Sequence, residues 1–312
     1  MSAATEIRPP RVTLPQLRSF EAVARLGGVG RAARALHLAQ PTVSTQMKEL
    51  ARGVGAALFT PRGRGLELTP TGELLLATAR ELFERWQRFE QEAAELQGLE
   101  RGRLRIAAVT TAEYFVPDLL GPFAKRHPGI DVELAVENRD AVVRRLERGD
   151  DELAVMMLPP THLPLQRWPF LENPLVVVAA RDHPLVARRR LTLQQVAREP
   201  LLAREAGSGT RLAVEALLQQ KGVEWPARMA LGSNEAIKHA VAAGLGIAVM
   251  SRHALGRDPA RDGLVELKVQ GLPIRRMWHF VWRSDRALTL PARTFLDDVR
   301  ARLAQRRASG PR

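Results

Sequence analysis

The segment that most constrains the fold lies at residues 31–50, RAARALHLAQPTVSTQMKEL. It predicts two helices joined at residues 38–40, because Pro41 fits the first turn of a second helix, where its missing N–H costs no hydrogen bond. Small alanines let the two helix axes approach closely, and larger apolar residues fill the remaining space. The facing apolar sets are Ala32, Ala33 and Leu36 on the first helix and Val43, Met47 and Leu50 on the second. The segment predicts a helix-turn-helix; a helical hairpin with a solvated polar face is the alternative.

The opposite face of the second predicted helix is polar. It carries short polar side chains and one cation: Gln40, Thr42, Ser44, Thr45 and Lys48. Side chains at the N-terminal end of such a helix can enter the major groove of DNA and reach the base edges. We therefore expect this helix to read double-stranded DNA.

The distribution of charge supports that expectation. The chain has 312 residues and a net charge of +13, which favours polyanionic partners but also fits a GC-rich genome rich in Arg codons. In the N-terminal helical region the acidic residues are only Glu21, Glu49 and Glu67. The basic residues there are Arg11, Arg18, Arg25, Arg31, Arg34, Lys48, Arg52, Arg62 and Arg64. This local excess favours a nucleic-acid surface over uniform genome bias.

A long helix is predicted at residues 70–99, with Thr69 as N-cap and Pro70 in its first turn. Apolar residues recur along it at heptad spacing, as in helices that pair along a stripe. The predicted seam consists of Leu75, Ala79, Leu82, Trp86, Phe89, Ala93 and Leu96. We expect this helix to join two protomers; an ordinary helix packed on its own domain is the alternative.

After Gly102 the sequence alternates between strand and helix patterns, first over residues 104–158 and again over residues 175–250. A return strand at residues 277–282 and a final helix near residues 292–303 follow. Such alternation predicts a mostly parallel sheet in two α/β lobes. Two lobes with a late return indicate a periplasmic-binding-protein architecture, in which a ligand occupies the cleft between the lobes.

Several function classes are disfavoured. The chain has no cysteine, which excludes disulfides, Cys-ligated zinc and a thiol nucleophile. Its seven histidines show no metal-ligand spacing and no nucleophile-base-acid set stands out, so we expect no catalytic residues, no metal and no enzyme. No apolar run approaches the ~20 residues needed to span a bilayer, and no signal peptide is recognised. We expect a cytoplasmic protein without membrane contact, which also disfavours an exported solute-binding protein.

The helix-turn-helix and the residues after it resemble the signature of the LysR-type transcriptional regulators. The matching residues are Ala32-Ala33, Gln40-Pro41-x-Val43-Ser44, Leu58-Phe59 and Leu68-Thr69-Pro70-x-Gly72. The resemblance implies an N-terminal winged helix-turn-helix at residues 12–69 and a dimerisation linker helix at residues 70–99. It also implies a C-terminal, two-lobe α/β effector-binding domain at residues 100–312, with crossovers near residues 172–176 and 270–276.

The resemblance further implies DNA contacts in the groove from Gln40, Pro41, Thr42, Ser44, Thr45 and Lys48, and on a wing from Arg62 and Arg64. It implies a homodimer that assembles further to a homotetramer, and it allows contact with RNA polymerase. The chain departs from the family at residues 28–30, where Gly-Val-Gly replaces a segment that usually bears Ser or Thr. We expect Gly30 to cap the following helix less well than those residues would.

The C-terminal part resembles one branch of the family, the CbbR-type regulators of RuBisCO and Calvin-cycle operons. The matching stretches are TTAEYF at 110–115, ENR at 137–139, REAGSGTR at 204–211 and GSNEAIK at 232–238. This resemblance implies control of carbon-fixation genes and an effector that is a phosphorylated Calvin-cycle intermediate or NADPH. A LysR-type regulator of another metabolic operon is the alternative.

Residues 207–210 precede a predicted helix, and their backbone N–H groups and two hydroxyls could bind an anion, although a plain capping turn has the same pattern. We expect Asn234 to cap another helix, so that three helix N-termini converge on the cleft. Arg139 and Arg204 would supply positive charge. The predicted effector site consists of Thr110, Thr111, Asn138, Arg139, Arg204, Ser208, Thr210 and Asn234.

Overall fold

The computed structural model describes residues 11–62, 65–96, 102–256 and 258–308. The chain divides into two compact units, Met1–Ala93 and Ala94–Arg312. Among the described helices, none is long and apolar enough to cross a membrane.

The N-terminal unit contains three short helices, an antiparallel hairpin and most of one long helix. They are α1 (Leu14–Leu26), α2 (Val29–Leu36), α3 (Gln40–Val54), β1 (Phe59–Arg62), β2 (Gly65–Leu68) and α4 (Pro70–Leu96). Local sequence explains two helix starts: Thr13 and Gln16 form a capping box at α1. At α4, the Thr69 hydroxyl accepts a hydrogen bond of 3.0 Å from the Gly72 N–H.

Helices α2 and α3 pack as the helix-turn-helix pattern predicts. Ala32 and Ala33 are buried in one cluster with Val43, and Met47 packs against it. The expectation about Gly30 is wrong, because α2 begins at Val29 with Gly28 as its N-cap. Gly30 lies inside the helix, where a Cβ would approach the Gln40 side chain to 3.2 Å, so its small size lets α3 begin close to α2.

The first turns of α4 belong to the core of the N-terminal unit. Ala79 is fully buried in a cluster with Phe20 and Leu50, and Leu75 and Phe83 pack against the same cluster. The prediction that Ala79 faces a partner is therefore wrong, because α4 closes the helical bundle of its own chain at this residue. Leu75 is only partly buried there, and its place in the seam stays a prediction.

The later seam residues are different. Leu82, Trp86 and Phe89 are 40, 50 and 57 % exposed, and the Trp86 and Phe89 rings lie 5.5 Å apart. Ala93 is partly exposed, and the Leu96 side chain lies outside the described part of the structure. Three large apolar side chains thus face outward along one stretch of α4.

The C-terminal unit is built on one nine-stranded sheet with helices packed against it. Its strands are β3 (Gly102–Val109), β4 (Ile130–Glu137), β5 (Leu153–Met156), β6 (Leu165–Ala180), β7 (Leu201–Arg204), β8 (Ala227–Leu231), β9 (Ile247–Ser251), β10 (Leu264–Leu267) and β11 (Ile274–Arg283). Its α-helices are α5 (Val116–Arg126), α6 (Arg139–Arg148), α7 (Leu193–Val196), α8 (Gly209–Lys221), α9 (Asn234–Ala242) and α10 (Leu290–Ala308). Short 3-10 helices span Thr110–Tyr114, Pro184–Ala187, Arg252–Leu255 and Pro259–Asp262.

The sheet order is β4-β3-β5-β11-β6-β9-β7-β8, with β10 paired to β6. Strands β3, β4 and β5 are parallel in one lobe, and β7, β8 and β9 are parallel in the other. The prediction of a mostly parallel sheet is wrong at its centre, where β6 and β11 pair antiparallel. The chain leaves the first lobe along β6 and returns along β11, so these two strands run in opposite directions.

Candidate functional site

The N-terminal unit presents the polar face of α3 to solvent. Gln40, Pro41, Thr42, Thr45 and Lys48 are exposed, and Ser44 is half-buried. The orientation of α3 follows from burial of Val43 and Leu50 on its other side. The predicted groove residues therefore share one accessible face at the start of a helix.

The hairpin β1–β2 holds Arg62 on its exposed surface, where it forms an ion pair with Glu67 of the facing strand. Arg64 lies outside the described residues. Arg31, counted among the basic residues of this region, donates hydrogen bonds to the Leu26 and Gly27 carbonyls at the end of α1. Part of the local basic excess thus has a structural role, which sequence composition does not reveal.

The C-terminal unit contains a small, partly open pocket. All the predicted effector residues except Asn234 line it. The lining residues are Val109, Thr110, Thr111, Asn138, Arg139, Met156, Met157, Leu158, Arg204, Ser208, Gly209, Thr210 and Trp278. The apolar lining residues were not predicted, because apolar residues at a pocket cannot be told from core residues by sequence pattern. They are Val109, Met156, Met157, Leu158 and Trp278.

Two α-helices begin at this pocket. Asn138 caps α6, its side-chain oxygen accepting a hydrogen bond of 2.9 Å from the Ala141 N–H. Ser208 is the N-cap of α8 but its hydroxyl makes no capping hydrogen bond, although the residue is only 4 % exposed. The positive ends of helix dipoles favour nearby anions, and the unused hydroxyl adds a donor.

Gly207, immediately before α8, stands where a residue with a side chain fits poorly. Its φ of +79° lies in the left-handed region, and a Cβ there would collide with the Asp140 carboxylate at the start of α6. Glycine at position 207 therefore permits this backbone conformation and leaves room for the Asp140 side chain.

Arg204 is buried, with a side chain 3 % exposed, and its charge is balanced by a neighbour. Its Nε and Nη2 donate to the Glu205 carboxylate at 2.8 and 2.9 Å. Its Nη1 donates to Asn234 Oδ1 at 2.9 Å, and Asn234 in turn donates to the Thr111 hydroxyl at 3.2 Å. Arg204 thus supplies oriented donors and links the two lobes, while Glu205 offsets most of its positive charge.

The expectation that Asn234 caps a third helix at the cleft is wrong. Ser233 is the N-cap of α9, its hydroxyl accepting from the Ala236 N–H at 3.0 Å. Asn234 is buried behind the pocket, where it orients Arg204 and Thr111. Arg139 is also engaged, donating to the Leu158 carbonyl at 2.8 Å and pairing with Asp140 at 3.2 Å. Two α-helix starts, not three, therefore face the pocket.

Thr110 and Thr111 follow β3 directly and begin a 3-10 helix. The Thr110 hydroxyl donates to the Glu137 carbonyl at 3.2 Å, so its proton is already used. The Thr111 hydroxyl accepts from Asn234 and keeps its own proton available.

A second polar cluster joins the lobes beside the pocket and was not predicted. The Tyr114 hydroxyl donates to Glu235 at 2.6 Å, and Lys238 pairs with Glu235 at 2.9 Å. Burial and the hydrogen bond to Glu235 raise the pKa of Tyr114 far above its ordinary value. Burial also raises the pKa of Glu235, but hydrogen bonds from Tyr114 and Lys238 outweigh it and the net pKa is lowered.

The described residues contain no group of three or more His, Cys, Asp or Glu able to hold a metal ion. The polar residues of the pocket are instead hydroxyls, amides and guanidinium groups, which are donors suited to anions.

Comparison with known proteins identifies the family of both units. The family model described as LysR substrate binding domain matches residues 97–304, and that of bacterial regulatory helix-turn-helix protein, lysR family, matches residues 14–73. The chain is 41 % identical over 285 residues to the HTH-type transcriptional activator CmpR of Synechocystis, covering 91 % of this chain and 94 % of CmpR. The RuBisCO operon transcriptional regulator of Acidithiobacillus ferrooxidans is also 41 % identical, with 91 and 92 % covered.

Among solved structures, the C-terminal unit is similar to the regulatory domain of CcmR from Synechocystis in complex with 2-PG. That domain is 43 % identical, with a TM-score of 0.63, and the match covers 65 % of this chain and 98 % of the CcmR domain. Both family models and the full-length relatives lead to one conclusion. The chain belongs to the LysR family of bacterial transcriptional regulators.

Proposed function

We propose that this regulator binds an operator through α3 and the β1–β2 wing and controls carbon-fixation genes in response to a small phosphorylated anion. It acts in the cytoplasm, without catalysis of its own, as a homodimer that assembles further to a homotetramer, and it contacts RNA polymerase when it activates transcription. Support for the target genes comes from relatives named as regulators of the RuBisCO operon.

The effector class rests on one observation above all: the starts of α6 and α8 meet at a pocket whose walls carry hydroxyl and amide donors. Each helix start contributes roughly 0.3–1 kcal/mol to a nearby anion when exposed and up to about 2 kcal/mol when partly buried. The CcmR complex adds a ligand of this class, since 2-PG (2-phosphoglycolate) carries both a phosphate and a carboxylate. We therefore place 2-phosphoglycolate first among candidate effectors.

Calorimetry on the full chain tests the effector class. The titrants are 2-phosphoglycolate, ribulose bisphosphate, phosphoenolpyruvate and NADPH, with benzoate, an aromatic carboxylate that lacks phosphate, as the control. We expect binding of at least one phosphorylated compound and none of benzoate. Binding of benzoate alone would place the protein with regulators of another metabolic operon.

Footprinting tests operator recognition. Thr42→Trp puts a large side chain on the exposed start of α3, where it blocks entry into the groove. We expect preference for the operator over random DNA to fall by roughly 10–100-fold per lost base contact, while non-specific binding persists through phosphate contacts. An operator footprint that survives this substitution unchanged would contradict groove reading by α3.

A further inference from the structure

Trp278 carries a hydrogen-bond donor without a partner. Its side chain lines the pocket but is 1 % exposed, and its Nε1–H has no acceptor among the described residues. The other unpaired buried polar atoms of the described structure belong to Arg276, His279 and Asp298, which do not line the pocket. Of these four residues of the described structure, Trp278 alone lines the pocket.

The fold holds this indole in place. The Trp278 ring centroid lies 5.2 Å from that of Phe115 and 6.5 Å from that of His253. On the facing strand β6 the register shifts, because Trp278 pairs with Leu171 whereas His279 pairs with Pro169. Such bulges re-aim side chains and are common next to binding sites. Aromatic packing and the register shift together keep the indole at the pocket wall.

An unpaired buried N–H destabilises the folded state, because the group loses its hydrogen bond to water and gains none in return. A ligand that presents an acceptor removes this cost, and the difference appears as ligand affinity. The indole N–H can only donate, so it recognises an oxygen acceptor and not a cation.

We propose that Trp278 Nε1 donates a hydrogen bond to the bound effector and selects ligands that carry an acceptor in addition to their phosphate group. This inference rests on the effector role proposed above for the pocket. The backbone and hydroxyl donors at residues 208–210 suit a phosphate, which leaves the indole for a second oxygen such as that of a carboxylate. Trp278 then distinguishes an organic phosphate from inorganic phosphate.

The test replaces Trp278 with benzothienylalanine, which keeps the double ring but has sulfur in place of the N–H. Trp278→Phe serves as a second variant, and Trp282→Phe, on the same strand but away from the pocket lining, is the matched control. Calorimetry on the full chain uses 2-phosphoglycolate and inorganic phosphate as separate titrants. The thermal unfolding midpoint without ligand is measured in parallel.

We expect the benzothienylalanine variant to bind 2-phosphoglycolate about tenfold more weakly, with inorganic phosphate unaffected and the unfolding midpoint equal to or above that of the wild type. Trp282→Phe should keep wild-type affinity. Equal affinity of the variant and the wild type for 2-phosphoglycolate overturns the inference alone. A lower midpoint with equal weakening for both titrants also overturns it, because it indicates a packing role. A wild type that binds no phosphorylated ligand overturns the proposed effector function as well.

Discussion

The two candidate sites of this protein are built in opposite ways. The predicted DNA-reading residues lie within nine positions of one helix and point to solvent. The pocket residues come from segments as far apart as Val109 and Trp278, about half of them are buried, and both arginines are hydrogen-bonded to neighbouring groups. An exposed helix face can keep its polar groups free for a partner, whereas a buried pocket must satisfy most of its own.

Because of this difference, the charge of a basic side chain is available to a ligand at one site and largely neutralised at the other. Lys48 on α3 is exposed, so its charge is available to a phosphate. Arg204 is buried and its charge is offset by Glu205, so it acts mainly as an oriented donor. The attraction of the pocket for an anion then depends more on the helix starts and hydroxyls than on the arginines.

The largest expected effect concerns the exposed stretch of α4. Leu82→Asp with Phe89→Asp should give a monomer in sedimentation, because each side chain contributes ~1.5–3 kcal/mol when buried between protomers. The dimer dissociation constant should rise roughly 100-fold or more, and operator affinity should fall with it. Leu74→Asp, at 72 % exposure off the predicted seam, is the matched control and should remain a dimer. A double variant that sediments like the wild type would show that the seam is not an interface.

Within the pocket, the hydrogen-bond pattern predicts that the Ser208 and Thr110 hydroxyls contribute unequally to effector affinity. Ser208→Ala should weaken 2-phosphoglycolate binding about tenfold, because it removes a hydroxyl that makes no capping bond. Thr110→Val should weaken it less, because that hydroxyl already donates to the Glu137 carbonyl. Calorimetry on both variants compares their losses of 2-phosphoglycolate affinity. A larger loss in Thr110→Val than in Ser208→Ala would contradict the prediction that Ser208 is the more available donor.

The Tyr114–Glu235 contact predicts a pH effect on stability. The folded-state pKa of Tyr114 is raised above its ordinary value of 10.0, so its contribution is complete below that pH and is lost as the pH rises through the folded-state pKa. Tyr114→Phe should cost about 1 kcal/mol near neutral pH and flatten the alkaline loss of stability in urea unfolding. Since Tyr114 is the only tyrosine, tyrosinate absorbance reports on it alone. Tyrosinate that forms at the ordinary pKa before unfolding would contradict the contact.

The smallest expected effect concerns the wing. Glu67→Gln releases Arg62 from its ion pair, so DNA affinity should rise a few-fold for all sequences. The slope of log affinity against log salt should steepen by about one, as for one added phosphate contact. Glu81→Gln on the exposed face of α4 is the control and should leave that slope unchanged. An unaltered slope in Glu67→Gln would indicate that Arg62 does not contact DNA.

The sequence predicts the structure of the N-terminal unit more completely than that of the C-terminal unit. The helix-turn-helix was predicted with its buried alanines, because the pattern is local and both helices are amphipathic. The predicted effector residues all line one pocket except Asn234, which stands one position inside the helix that Ser233 caps. The parallel sheet was wrong at its centre, because a hydrophobic strand pattern does not state the direction of its neighbours.

The sequence by itself determined the elements whose cause is local: the capped starts of α1 and α4, the packed helix pair α2 and α3, and the family to which the chain belongs. Only the tertiary structure decided that Ala79 is used inside its own unit, that Glu205 offsets Arg204, and that Trp278 reaches the pocket wall with its N–H unpaired. The reason is physical: hydrogen bonding and packing within a few residues follow from the local sequence. Burial and charge balance depend on groups brought together from distant parts of the chain.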